Sequence, residues 1–167
     1  MATPLPDPER LLEALAAGMK SATDAETCIV GIYTGGAWVA ERLHRALALR
    51  APLGQLAVTL HRDDFGRIGL HREQRRSHLP FEVEGRDIVL VDDVLHTGRT
   101  IRAALNELWD FGRPKRVRLA VLAVRGGREL PISPDFTGAF IEMESTDDLV
   151  LTNEGGKLGL AAVRRPA

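Results

Sequence analysis

"RDIVLVDDVLHTGRTIRAALNEL" occupies residues 86–108, and its reading decides the fold. Ile88, Val89, Leu90 and Val91 run without alternation, which predicts a strand over 86–93 buried on both faces, as in the middle of a parallel sheet. Asp92 and Asp93 follow at its carboxyl end. Adjacent carboxylates repel each other, so this placement asks for a partner that rewards both charges. Beyond them Thr97, Gly98, Arg99 and Thr100 lead into Ile101, Ala104, Leu105 and Leu108 at helical spacing. Gly112 and Pro114 then stop the helix.

The turn at Thr97–Thr100 suits a phosphate. Backbone N–H groups at a helix start lack intrahelical partners, and the helix dipole is positive there. Thr97 and Thr100 add hydroxyl donors, and Gly98 lets the backbone approach closely. Two carboxylates just upstream complete a match to a ribose 5′-phosphate. The diol would donate to Asp92 and Asp93 while the phosphate rests on the turn. A magnesium ion shared by ribose hydroxyls and pyrophosphate would relieve the repulsion within the pair. Other phosphate loops are excluded, because neither G-x-x-x-x-G-K-[ST] nor G-x-G-x-x-G occurs in the chain.

Outward from this stretch, the chain reads as alternating helices and strands. Asp7 and Pro8 open a first helix that carries Leu11, Leu12, Leu15 and Met19 on one face. A strand is expected at 27–33, a helix at 35–50 and a second strand at 55–63. Residues 64–86 are charged, glycine-containing and aperiodic, which fits a lid over the site or an exposed arm that packs on a neighbour. A core strand follows at 115–124, with short strand candidates at 139–143 and 148–152 and an unassigned tail over 153–167. This order predicts one α/β domain over 1–167, a mostly parallel sheet flanked by helices. Ligands in such sheets bind beyond the carboxyl ends of the strands. Thr34–Gly35–Gly36, Asp92–Asp93 and Arg125–Gly126–Gly127 all fall at such ends.

Composition narrows the class. With 167 residues, 44% apolar and 27% charged, the chain can bury a core. A formal net charge of −1 argues against a strongly basic nucleic-acid protein, though not against a local basic face. The single cysteine, Cys28, excludes an internal disulfide and a Cys-rich zinc site, and the five histidines lack zinc spacing. No membrane-length apolar stretch and no signal-peptide pattern occur, so a cytoplasmic protein without a membrane partner is expected.

"IVLVDDVLHTGRT" (88–100) resembles, along its whole length, the phosphoribosyl pyrophosphate (PRPP) motif of type I phosphoribosyltransferases. "VTLHRDDF", "VDDVLHTGRTIRAALNEL", "FGRP" and "RELPI" are similar to the PyrR family of pyrimidine-operon regulators and uracil phosphoribosyltransferases, a likeness covering roughly 27–152. The resemblance implies a type I phosphoribosyltransferase fold with a mobile arm, PRPP and uracil as substrates, and UMP and pyrophosphate as products. It also implies magnesium without dedicated protein ligands, an RNA partner, and a homodimer or higher homo-oligomer. On this chain Asp92 and Asp93 would hold the ribose as catalytic carboxylates, and His96, Thr97, Gly98, Arg99 and Thr100 would cradle the 5′-phosphate. Thr34, Gly35 and Gly36 would form the pyrophosphate loop, Arg62, Asp63 and Asp64 would belong to the lid, and Val124 and Arg125 would border the base.

Three departures stand out. Many members carry Lys-Thr-Arg-Gly in the first loop, where this chain has Tyr33-Thr34-Gly35-Gly36 and so loses a charge-assisted contact to pyrophosphate. Val124 replaces an acidic residue beside the expected base pocket. Gly127 and Ser133 replace a histidine and an arginine on the surface that members use for RNA, which weakens RNA binding. The remaining basic runs, Arg42, His44, Arg45 and Arg50 and then Arg67 to His78, read better as solvated faces than as an RNA surface. Trp38, Trp109 and Cys28 read as packing residues, and a protonated His96 could donate to phosphate.

Overall fold

The computed structural model describes residues 4–58 and 75–166. In chain order it contains α1 (Pro8–Met19), β1 (Cys28–Ile32), α2 (Gly35–Ala46), β2 (Gly54–Leu56), β3 (Asp87–Leu95), α3 (Arg99–Asp110), β4 (Arg116–Arg125), β5 (Phe136–Ile141), β6 (Asp147–Glu154) and β7 (Lys157–Arg164). The first five strands form one parallel sheet in the order β2-β1-β3-β4-β5, and β6 and β7 form a separate antiparallel pair.

The unbroken apolar run is explained by its place. Ile88, Val89, Leu90 and Val91 are all fully buried, between β1 on one side and β4 on the other. Their side chains alternate between two cores. Val89 and Val91 meet Leu11, Leu12, Leu15 and Met19 of α1 and Val39, Ala40 and Leu43 of α2. Ile88 and Leu90 meet Ile101, Ala104 and Leu108 of α3. A central strand with helices on both faces has no solvent face to make polar, so alternation disappears. Removing one of these side chains, Leu15 for example, costs about 2–5 kcal/mol by cavity formation.

Helix boundaries follow local chemistry. Asp7 caps α1 by accepting the Glu9 N–H at 3.0 Å, a contact worth about 1 kcal/mol. Gly98, at φ +95°, turns the chain into α3, and Gly112, at φ +144°, turns it out. Both conformations favour glycine.

The sequence expectations need four corrections. The second strand, expected over 55–63, is only Gly54–Leu56; Ala57 and Val58 lie beyond it, and 59–63 lie outside the described residues. Its partner β1 ends at Ile32, opposite Leu56, and only three register pairs form. The arm expected over 64–86 is not one unit. Residues 64–74 lie outside the described residues, whereas Leu79, Phe81 and Val83 pack into the α3-side core, and His78 bridges Gln55. The unassigned tail folds as β7, a strand the composition hides because Gly159, Ala161 and Ala162 carry little apolar signal. Trp38 packs on the core as expected, but Trp109 is 49% exposed near the end of α3.

Candidate active site

The site is built where β1, β3 and β4 end. β3 runs to Leu95, two residues past the expected strand end, because Val94 and Leu95 still pair with Ala123 and Val124 of β4. Asp92 and Asp93 therefore belong to a strand that stays anchored on both sides of them. Asp92 is 6% exposed. One oxygen of each carboxylate is used locally: Asp92 Oδ1 accepts the Asp93 N–H at 2.9 Å, and Asp93 Oδ1 accepts the Val94 N–H at 2.8 Å.

Burial, and then the neighbouring Asp93 charge, push the Asp92 carboxyl well above the usual carboxylate range. Asp93 is raised too, by burial, against hydrogen bonds from Asp92 and from backbone N–H groups that favour its ionised form. The pair thus holds a proton more readily than two separate aspartates. Any ligand that donates hydrogen bonds or brings a cation to both carboxylates relieves this condition.

The first loop lies directly on the pair. A Cβ on Gly35 would fall 2.1 Å from Asp93 Oδ2, and one on Gly36 would fall 2.6 Å from the Val91 carbonyl and 3.1 Å from Asp92 Oδ1. Only glycine fits at either position. The Tyr33–Thr34 peptide is cis. Thr34 is exposed, and its carbonyl accepts the Ala37 N–H at 3.1 Å, starting α2.

On the other side, the turn at 96–100 is braced by the segment after β4. The Glu129 and Leu130 N–H groups donate to the Thr97 carbonyl at 3.0 and 3.2 Å. Thr97 Oγ1 accepts the Arg99 N–H at 3.2 Å, and Arg99 pairs with Glu129 at 2.6 Å. The N-cap residue, Gly98, has no side chain to cap α3 and no acidic residue stands in its first turn, which leaves an electropositive helix start. His96 is engaged at both ring nitrogens, with the Gly126 carbonyl at 2.8 Å and Arg165 Nη2 at 3.0 Å. A guanidinium can only donate, so Nε2 accepts and Nδ1 carries the hydrogen. Burial first, and then the Arg125 charge, lower the His96 pKa, in keeping with a neutral ring. The ring also fills the space over Gly127, where a Cβ would meet it at 2.6 Å.

The base-side expectations separate. Val124 is buried, packed within the α3-side core. Arg125 is 4% exposed; it donates to Asp148 Oδ1 at 3.1 Å and to the Asp147 carbonyl. Arg165 donates to the same Asp148 oxygen at 2.8 Å. The β6–β7 hairpin is thereby tied to the site by Asp148 and Arg165, two residues the sequence reading missed. Nothing near them in sequence marks them; only the fold brings them together. Arg62, Asp63 and Asp64 lie outside the described residues.

The sequence profile of the phosphoribosyl transferase domain matches residues 6–149. The chain belongs to the PyrR family of type I phosphoribosyltransferases. It is 51% identical over 153 residues to "Bifunctional protein PyrR" of Ralstonia nicotianae, covering 89% of this chain and 87% of the relative. It is 52% identical over 144 residues to the protein of that name in Pseudomonas paraeruginosa, covering 83% and 84%. Among solved structures, a purine phosphoribosyltransferase from Pyrococcus horikoshii superposes with TM-score 0.58 at 25% identity, covering 81% of this chain and 82% of its own. A hypoxanthine phosphoribosyltransferase from Trypanosoma cruzi gives TM-score 0.67 at 18% identity, over 97% and 94%, a likeness of fold.

The family implies magnesium, and the donor set fits it in one way. Among the described residues no group of three or more His, Cys, Asp or Glu forms a metal cage. Two adjacent carboxylates with raised pKa values are hard oxygen donors in need of positive charge. That suits an ion held by one or two carboxylates and completed by water and phosphate oxygens. Among the described residues, no helix is long and apolar enough to cross a membrane.

Proposed function

We propose that this chain transfers the phosphoribosyl group of PRPP to uracil, giving UMP and pyrophosphate. We also propose that occupancy of the same pocket serves as a pyrimidine signal to gene expression, in keeping with membership of the PyrR family. The observation that carries the reading is the close seating of Gly35 and Gly36 on Asp92 and Asp93, with the Thr97–Thr100 turn at the other side of the pair.

In this reading Asp92 and Asp93 accept hydrogen bonds from the ribose diol. The α3 N-terminus with Thr97, Gly98, Arg99 and Thr100 binds the 5′-phosphate, and Thr34, Gly35 and Gly36 bind pyrophosphate. The bond from C1′ to the pyrophosphate oxygen breaks, the bond from C1′ to uracil N1 forms, and the N1 proton is released. The chain's contribution is positioning and charge compensation rather than covalent catalysis. Magnesium, when bound, neutralises charge on the pyrophosphate. The basic residues of α2 and of the turn after it are engaged in the fold. Arg42 pairs with Glu9 at 2.9 Å and donates to the Gly156 carbonyl, Arg45 pairs with Glu41 at 3.2 Å, and Arg50 pairs with Glu26 at 3.3 Å. RNA binding is thus the weaker of the two proposed activities. Oligomerisation, to a homodimer or beyond, belongs to the same proposal.

A transfer assay with labelled uracil, PRPP and magnesium tests this directly. UMP formation is the expected result. Absence of UMP together with reaction of hypoxanthine or guanine would transfer the chain to the purine-specific enzymes whose fold it shares.

A further inference from the structure

The pyrophosphate loop has a charge problem. Tyr33, Thr34, Gly35 and Gly36 bring no cation, and the side chains beneath them are the carboxylates of Asp92 and Asp93. A departing pyrophosphate is a multiply charged anion. Placed there, it meets a neutral loop on one side and two acids on the other. Metal ions offset part of this charge, but a fixed positive group aimed at the loop would lower the cost further.

Most arginines of this rim have acidic or carbonyl partners. Arg99 pairs with Glu129, Arg125 and Arg165 both pair with Asp148, and Arg128 donates to the His96 and Ile132 carbonyls. Arg75 differs. Its guanidinium lies over the ring of Tyr33, 5.0 Å from the centroid, and the residue is exposed. Tyr33 is the residue that precedes Thr34, and its own position is fixed twice. Its N–H donates to the Leu56 carbonyl at 3.0 Å, and its hydroxyl donates to Gln55 Oε1. Gln55 in turn exchanges backbone hydrogen bonds with His78 at 2.8 and 2.7 Å, three residues after Arg75. The ladder from Gln55 to His78 thus sets both the ring and the chain that carries the guanidinium. A surface arginine on an aromatic face gains about 0.5–1 kcal/mol from that contact. It keeps its charge and its in-plane donors available, because stacking uses the face of the guanidinium and hydrogen bonding uses its edge.

We propose that Arg75 is a pyrophosphate-binding residue, held over Tyr33 so that its donor edge supplies from a distant part of the chain the positive charge the loop lacks. This rests on the phosphoribosyl transfer reading above and adds a residue to its pyrophosphate side. The charge run from Arg72 to Arg76 gave no sign of it, since the sequence places Arg75 forty-two positions after Tyr33 (75 against 33).

The test compares ligands with and without pyrophosphate. Affinities of PRPP, inorganic pyrophosphate with magnesium, and UMP are measured by calorimetry for the unaltered chain and for R75A, R75K and R76A. R75A is expected to weaken PRPP and pyrophosphate roughly tenfold, the loss of one charge-assisted contact, with UMP affinity unchanged. R75K is expected to recover part of the loss, and R76A none of it to need recovering. The salt dependence of PRPP binding should be shallower in R75A. Equal PRPP affinity in R75A and the unaltered chain overturns the proposal, as does an equal loss for PRPP and UMP, which would mark a general or structural effect. If the unaltered chain binds neither PRPP nor UMP, the phosphoribosyl reading itself falls and this proposal with it.

Discussion

Asp92 and Asp93 stand near the end of β3; Arg125 ends the neighbouring strand β4 and meets Asp148 of β6. Both are ionic clusters in buried surroundings at one rim, and they are built on opposite rules. Arg125 and Asp148 compensate each other, with the Asp147 carbonyl and Arg165 adding hydrogen bonds. Such a cluster is compensated in charge without a ligand, and it ties the hairpin to the sheet. The aspartate pair has like charges, satisfies one oxygen of each side chain from its own backbone, and holds a proton more readily than usual. It becomes complete only when something donates to it. The first cluster is scaffold, and the second is the place where binding energy is to be gained.

Mutation should separate them most sharply. Replacing both aspartates, D92N with D93N, is expected to abolish PRPP binding by calorimetry while leaving the melting temperature equal or higher, because the amides remove a buried repulsion. R125M is expected to do the reverse. Breaking a buried pair costs about 3–5 kcal/mol, here toward the lower figure because Arg165 also reaches Asp148. A loss of that size lowers the melting temperature by roughly 6–12 °C in a chain of this length. If D92N/D93N unfolds the protein, or R125M leaves it as stable as before, the division into binding cluster and scaffold fails.

Titration gives a second separation, with its own sign. A carboxyl whose folded pKa is raised leaves the folded state holding more protons than the unfolded state between the two pKa values. Stability is then greater at the acid end of that window and falls as pH rises through the raised folded value. Asp92 should impose this trend above the ordinary carboxylate range, and the difference between unaltered chain and D92N in denaturant melts isolates it. Binding of PRPP needs the ionised pair, so it should release protons, seen as a calorimetric enthalpy that varies with buffer ionisation heat. Flat difference curves, with no proton release, would mean that the two carboxylates do not share a buried environment in solution.

Two glycines at the same rim provide the next contrast. G35A places a Cβ 2.1 Å from Asp93 Oδ2, whereas a Cβ on Gly126 meets nothing within 4 Å. PRPP affinity should fall about tenfold or more in G35A as the loop or carboxylate is displaced, and stay unchanged in G126A. Equal affinities would show that the loop does not depend on its seating against the pair.

The sequence made one side of this comparison plain and concealed the other. Ile88–Val91, the aspartates and the turn at Gly98 are contiguous, so the strand, the charge conflict and the helix start can all be read in one short stretch. The glycines of the first loop could be placed at a strand end, but that a Cβ on them would strike Asp92 or Asp93 depends on β1 lying beside β3. Arg125 was noticed for its position at a strand end, yet its partner Asp148 lies in a hairpin whose second strand has weak apolar patterning. Arg75 sat in a basic run that looks like any solvated face until β2 brings Tyr33 and His78 together. What escaped the reading is side-chain partnership across large sequence separations. Val124 was read beside the base, and it lies buried with Leu95 and Ile101 in the α3-side core.

The smallest expected effect concerns the seam between the two clusters. Arg165 touches Asp148 of the scaffold and His96 beside the phosphate turn. It is exposed, so R165A should change stability by less than about 1 kcal/mol. Its signal should appear instead in the ring it contacts. His96 titrates below its ordinary value because of burial and the charges of Arg125 and Arg165, against the Gly126 carbonyl and Glu129. Removing Arg165 deletes a nearby positive charge and the donor that occupies Nε2, and both changes favour protonation. The His96 resonance followed by NMR should titrate at higher pH in R165A, and should shift much less in R164A, whose side chain pairs with Asp147. An unmoved His96 would mean that β7 does not hold Arg165 against the turn in solution, and the scaffold cluster would then end at Asp148.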